Sequence, residues 1–351
     1  LIAQRFIQRH LLHRSGLSLM LSPFSYLNGL GQSLRRRHAR QHRFPCKVVS
    51  IGNIVSGGSG KTPFTIYLAG LLRDMGYRFG VSHRGYLGSF EHYASLVSDR
   101  EKLLHDVHAC GDEAYLIASR LKGIPVVAGR KRAAAISVLL ARFPDLDLVL
   151  MDDGFQHLSV ARDRDIVCFD AATGIGNGLL LPAGYLREPM SALKQASLVT
   201  VIHKNGSGEN PRWLEKATSY CGQVIHCRYQ YEGFFDPSGD KIEIPASAGE
   251  SCCAVSAIAT PDSFATALGS LGIRIKRHFA FRDHYHYRDP NVISSLEAYC
   301  SRQGIRHILC TEKDIGKLAE IPSLAPRLRA LRVSLSCDNQ DGLLALLGLR
   351  K

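Results

Sequence analysis

The run Gly57-Gly58-Ser59-Gly60-Lys61-Thr62 stands directly after the apolar segment VVSIGN and directly before TPFTIYLAGLLRDMG, whose spacing is helical. No other feature constrains the fold as strongly. A strand must deliver the chain into a glycine-rich turn and a helix must leave it, so that backbone N–H groups and the helix N-terminus converge on one anionic group. Gly57, Gly58, Ser59, Gly60, Lys61 and Thr62 are therefore the candidate nucleotide-binding residues, with Lys61 placed to reach the β- and γ-phosphates and Thr62 to hold magnesium. Pro63 falls early in the helix, where a missing N–H costs little. The strict G-x-x-x-x-G-K-[ST] pattern has glycine where this chain has Val55, so the loop reads as a variant phosphate cradle.

From Cys46 onward, apolar runs and helical segments alternate, and RDIVCFD and ASLVTVIH continue the series. The pattern predicts an α/β, Rossmann-like class: a P-loop-containing parallel sheet flanked by helices. From Gln223 to Glu250 the rhythm breaks into a β-rich, turn-rich passage, and a second alternating block follows from SCCAVSAIA. The expected division is an N-terminal arm over 1–45, a P-loop domain over 46–222, a β-rich connection over 223–250 and a smaller C-terminal α/β domain over 251–351. A chain of 351 residues that is 45% hydrophobic can supply such cores, at about 150 residues per domain.

Charge is concentrated in the arm. The chain carries a formal +13, and residues 1–50 contain nine Arg and Lys with no Asp or Glu. Ala3, Phe6, Ile7 and Leu11 share one helical side opposite Gln4, Arg5, Gln8 and Arg9, and the apolar SLMLSPFSYL and the basic RRRHARQHR come after them. Such an arm suits an acidic membrane surface. No run reaches the ~18 apolar residues of a membrane span, so a peripheral contact is expected. The arm has few aromatics beside its arginines, and no nucleic-acid partner is expected. Ten cysteines are scattered without a CxxC pair, the pattern of reduced thiols in the cytosol rather than of a disulfide framework.

LVLMDDG ends an apolar strand in Asp152 and Asp153. A carboxylate at the end of a strand beside a P-loop is placed to bind magnesium directly or through water. Successive residues of an extended strand point apart, so one acid should serve the metal and the other the loop GFQH. A kinase also needs a base for the acceptor hydroxyl. The candidates are Asp112, at the helix start in CGDEAY, and Asp283, His284 and His286 in FRDHYHY. Arg84 in SHRGY and Arg187 in LLPAGYLREP carry paired N–H donors suited to phosphate, with Glu188 beside the latter. A regulatory GTPase or ATPase at a membrane surface is the alternative, but HKNG and TEKD have the wrong order for guanine selection.

Taken together and in order, IGNIVSGGSGKTP, SHRGY, GDEA, MDDGFQH, LPAGYLREP, FRDHYHY and TEKD resemble the tetraacyldisaccharide 4′-kinase family, the lipid A 4′-kinases of Gram-negative bacteria. The resemblance covers nearly the whole chain. It implies transfer of the γ-phosphate of ATP, with Mg2+, to the 4′-hydroxyl of a tetraacyl disaccharide 1-phosphate, the lipid A disaccharide precursor. It also implies a peripheral protein at the cytoplasmic face of the bacterial inner membrane. On this reading Lys61 and Thr62 fall on the family's P-loop, Asp152 and Asp153 on its magnesium-linked pair, and Arg187 and Glu188 on a loop near the active site. Asp112 matches the base and His284 the histidine that assists it; Arg84 is a candidate for the substrate's 1-phosphate. Thr311 to Asp314 match as a motif to which no role is attached.

Overall fold

A computed structural model describes residues 10–204, 211–244 and 251–349. The helix expected over residues 1–9 and the end of the β-rich passage at 245–250 lie outside the described residues. The strands are β1 (Lys47–Gly52), β2 (Phe79–His83), β3 (Ser95–Ser98), β4 (Val126–Ala128), β5 (Leu148–Asp152), β6 (Arg164–Asp170), β7 (Leu198–His203), β8 (Val224–Phe235), β9 (Lys241–Ile242), β10 (Cys252–Ser256), β11 (His278–Ala280), β12 (His307–Thr311) and β13 (Leu328–Cys337).

The chain forms two units, one from residues 1–84, 131–228 and 335–351 and the other from 85–130 and 229–334. The expected division was linear, whereas the observed one is discontinuous. Residues 85–130 join the second unit because the helix Asp112–Arg120 packs on the helix Glu312–Leu318. Gly316 permits that approach, since a Cβ there would lie 2.9 Å from the Tyr115 ring.

In the first unit the strands run parallel in the order β8-β7-β6-β1-β5-β2. Strands β2 and β5 are buried along their whole length, which explains why they read as unbroken apolar runs rather than as alternation. Val167, Phe169, Val199, Val201 and Trp213 share one core cluster. The helix Lys61–Asp74 buries Phe64, Leu68 and Leu72. Strand β1 lies between β5 and β6, so the chain turns to opposite sides of β1. A crevice at the carboxyl end of such a switch strand is where open α/β sheets hold ligands.

The helix Gly16–Arg37 of this unit is capped by Ser15, which exchanges hydrogen bonds with Ser18. Its inward seam is small and polar. Ser25 Oγ donates to the Leu180 carbonyl (2.7 Å), Asn28 Nδ2 to that of Leu181 (2.9 Å), and Gly29 leaves no room for a Cβ beside Leu180. Leu19, Met20, Phe24 and Leu27 instead face outward, 61–75% exposed. No helix among the described residues is long and apolar enough to cross a membrane.

The expectation of reduced thiols throughout is corrected at one place. Cys227 of β8 and Cys337 of β13, both in the first unit, form a disulfide. They are 110 residues apart in sequence, and the pairing comes from strands that bring their Cα atoms to 4.1 Å. Local spacing carries no trace of it. The other eight cysteines are free.

In the second unit β11, β10, β12 and β13 form a parallel sheet. Cys253 and Val255 enter one core cluster and Cys252 and Ala254 another, the two-residue alternation of a strand covered on both faces. The β-rich passage is an antiparallel pairing of β8 with β9, turned by the Asp236 carboxylate, which accepts from the N–H groups of Ser238, Gly239 and Asp240. Strands β3 and β4 are antiparallel.

Candidate active site

The phosphate cradle is built by backbone shape. Gly57 and Gly60 have φ of 119° and 80°, in the left-handed region that L side chains rarely adopt. A Cβ would meet Tyr185 Oη at 2.5 Å from Gly57 and Ile202 Cδ1 at 2.6 Å from Gly60. Asn53, fully buried, donates to Ser59 Oγ (2.8 Å), and Lys204 Nζ donates to the Gly58 carbonyl (2.9 Å) while paired with Asp170 (2.8 Å). Gly60 caps the helix Lys61–Asp74 without a side-chain acceptor, which leaves the first N–H groups for an anion.

Asp152 and Asp153 diverge. Asp152 is fully buried; its oxygens accept from Thr65 Oγ1 at 2.9 Å and Thr62 Oγ1 at 3.3 Å, and His83 Nε2 lies 3.8 Å away. Asp153 turns out of the strand at φ 49° and meets Lys61 Nζ at 3.4 Å. The Thr62 hydroxyl and the Asp152 carboxylate are hard oxygen donors close to one another, a donor set that fits magnesium.

Arg187 and Glu188 separate as well. The backbone N–H of Arg187 donates to the Ile54 carbonyl at 2.7 Å, which seats this loop on the segment entering the cradle. The Arg187 guanidinium makes no hydrogen bond or ion pair among the described residues, whereas Glu188 is buried against Arg36 and Gln156 (2.9 Å). A cavity of about 290 Å³ lined by Gln32, Ser33, Arg36, Glu188 and Gln195 opens beside it. Arg84 follows β2 directly, and its charge acts on Arg132 and His157.

Sequence reasoning passed over Arg132. It is fully buried at the start of its helix and donates from Nη2 to the carbonyls of Ser82 and Asp152 (2.7 Å). Its Nε and Nη1 have no hydrogen-bond partner among the described residues. Burial lowers its pKa to about 10 against the opposing charges of Asp152 and Asp153. In GRKRAAA this arginine looks like one of three surface cations, and only the fold distinguishes it. Burial and then the Arg132 charge hold His157 down at about 4.

The second unit assembles the proposed base. Asp112 is the first residue of its helix, after Gly111 at φ 80°. Both carboxylate oxygens lie 3.0 Å from His284 Nδ1. His286, the other candidate, is not on Asp112: its ring lies 5.8 Å from that of His108, and its Nδ1 has no partner among the described residues. Lys317 Nζ reaches Asp112 Oδ2 at 3.2 Å and Lys313 Nζ stands 4.0 Å from it. Burial would raise the Asp112 carboxyl, but the His284 hydrogen bond and the charges of Lys313 and Lys317 prevail and hold it at about 2. Asp283 pairs with Lys313 at 3.1 Å. Tyr86, Leu87, Val107 and His108 line a small cleft onto Asp112 and His284.

The sequence pattern of tetraacyldisaccharide-1-P 4′-kinase matches residues 17–349. The tetraacyldisaccharide 4′-kinase of Syntrophus aciditrophicus (strain SB) is 36% identical over 89% of this chain and 87% of its own length, and that of Azoarcus sp. (strain BH72) 38% identical over 80% and 82%. The crystal structure of the "apo" form of LpxK from Aquifex aeolicus in complex with ATP superposes with a TM-score of 0.75 at 27% identity, covering 95% of this chain and 98% of that one. With a match that runs through both units, the chain belongs to the tetraacyldisaccharide-1-P 4′-kinase family.

Proposed function

We propose that this protein transfers the γ-phosphate of ATP to the 4′-hydroxyl of a tetraacyl disaccharide 1-phosphate. The family match carries the reading, and the observation that supports it in the fold is the cradle at Gly57–Thr62 with its uncapped helix N-terminus. In this reading the loop N–H groups and Lys61 offset the phosphate charge. Arg187 and the unsatisfied side of Arg132 are further donors for phosphoryl oxygens, and Arg84 is assigned to the substrate's 1-phosphate. Glu188 orders the loop that carries Arg187. Thr62 and Asp152, with Asp153 nearby, would hold Mg2+, which supplies charge neutralisation at the phosphates when bound.

Asp112 is the proposed acceptor of the hydroxyl proton, with His284 hydrogen-bonded to it. A carboxylate held near 2 stays ionised at neutral pH. It suits a late proton transfer, after the hydroxyl oxygen has begun to bond to phosphorus and its proton has become acidic. The outward apolar residues of the helix Gly16–Arg37, with the exposed basic residue Arg35 near its end, support contact with an acidic bilayer. The proposed place of action is the cytoplasmic face of the inner membrane, with the acyl chains of the acceptor held in the lipid.

The test is transfer of labelled phosphate from ATP to a tetraacyl disaccharide 1-phosphate in mixed micelles with Mg2+. Transfer by the wild type and its loss in Lys61→Ala is the expected result. ATP hydrolysis without transfer would show that the acceptor is wrong.

A further inference from the structure

We infer that Asp314 and Lys317 are positioning residues: a buried carboxylate and ammonium that fix the direction in which Asp112 and His284 face an acceptor hydroxyl. The inference rests on the reading of Asp112 and His284 given above.

Asp314 is fully buried, and its two oxygens have different tasks. Oδ2 accepts from the Ala257 N–H at 3.0 Å and from Thr311 Oγ1 at 2.7 Å. Oδ1 accepts from Tyr287 Oη at 3.1 Å and faces Lys317 Nζ at 3.4 Å. Each oxygen leads to one member of the pair. The Ala257 carbonyl accepts from the backbone N–H of His284 at 3.3 Å. His284 sits at φ 60°, a conformation that persists in a non-glycine residue only where its surroundings impose it. On the other side Lys317, whose side chain is 2% exposed, donates to Asp112 Oδ2 at 3.2 Å.

The motif Thr311 to Asp314 thereby acquires a task. Thr311 ends β12 and the helix Glu312–Leu318 follows at once, so Lys313, Asp314 and Lys317 come from one short element. Residues three and four apart on a helix lie on the same side. Lys313 uses that side to reach Asp283, Glu113 at 3.3 Å and His284 Nε2 at 3.3 Å. The cations around Asp112 are then Lys313 and Lys317, with Glu113 and Asp283 offsetting Lys313 and Asp314 offsetting Lys317, while His284 is its hydrogen-bond partner. A buried ion pair is no better for stability than a well-packed apolar pair of the same volume. What an apolar pair could not do is orient a carboxylate.

The experiment is steady-state transfer with Lys317→Met in the full chain, using ATP and a tetraacyl disaccharide 1-phosphate in micelles. The kcat should fall at least about tenfold, the scale set by misplacing a reacting group, while the KM for ATP and the stoichiometry of ATP binding stay at wild-type values. The ring 15N resonances of His284, assigned by their loss in His284→Asn, should move away from a single hydrogen-bonded tautomer. Because Lys317→Met leaves the buried Asp314 without its ion-pair partner, the double variant Asp314→Asn with Lys317→Met removes both charges together and is expected to fold with the same loss of kcat. Wild-type kcat in a folded variant, a kcat loss with unchanged His284 resonances, or a double variant that cannot fold would overturn the inference. Asp112→Asn separates the two levels. If it keeps wild-type kcat, the reading of Asp112 itself fails; if it loses activity while Lys317→Met does not, only the positioning role fails.

Discussion

Asp152 and Asp153 are adjacent in sequence and divided in task, because Asp152 keeps the extended backbone of β5 and Asp153 leaves it at φ 49°. The same economy governs the other acids. Asp112 is held low enough to remain ionised and is within hydrogen-bond distance of one histidine. Asp112→Asn should keep ATP affinity, since the cradle lies in the other unit, and should lower the transfer rate by about 10²–10⁴, the usual contribution of a general base; parallel nucleotide titration and turnover measurements check it. His157 offers a prediction in pH. Its folded pKa of about 4 lies below the ordinary histidine value, so below neutral pH the unfolded chain binds a proton that the folded chain does not. Stability is therefore fully present above about 6.5 and declines as pH falls toward about 4, by about 3 kcal/mol in total. Urea unfolding across that window should show the decline, and His157→Gln should flatten it.

Among the elements, the β1 turn and helix were legible because glycine spacing ties sequence to backbone shape, and the buried parallel strands because an apolar run needs cover on both faces. The Asp112–His284 pairing spans 172 residues and entered through resemblance alone, since no local pattern relates GDEA to FRDHYHY. Arg132 and Lys317 were hidden for a different reason: a cation on a helix reads as solvated until the fold buries it. The helix Gly16–Arg37 was obscured by its inverted polarity, with Ser25, Gln32 and Arg36 turned inward by bonds to residues 180–188. Replacing Leu19, Met20, Phe24 and Leu27 by Gln should change fold stability by no more than about 0.5 kcal/mol per residue, as for other exposed sites. The same changes should weaken binding to vesicles containing acidic lipid at least about tenfold, because each side chain loses apolar burial in the bilayer; sedimentation with vesicles measures this.

For the whole molecule, the discontinuous partition places every cradle residue in one unit and the Asp112–His284 pair in the other. Nucleotide binding and proton acceptance should therefore be separable by mutation. ATP at about a hundredfold over its Kd should stabilise the wild type by about 2.7 kcal/mol, and the same increment should appear in Asp112→Asn but be lost in Lys61→Ala, as thermal unfolding with and without nucleotide would reveal. A linear reading of domains missed this partition because residues 85–130 are inserted between strands of the first unit yet pack with the C-terminal half.

If the outward row of Leu19, Met20, Phe24 and Leu27 seats the protein on lipid as proposed, it also sets the kinds of concentration to which the enzyme responds. A protein held at a lipid surface meets an acylated acceptor by lateral diffusion, so the number of acceptors per unit area governs encounter. Diluting the acceptor with inert lipid at constant total amount should slow transfer, while adding buffer at constant surface composition should leave the bound enzyme's rate unchanged. For such a catalyst, mole fraction in the film takes the place of molarity.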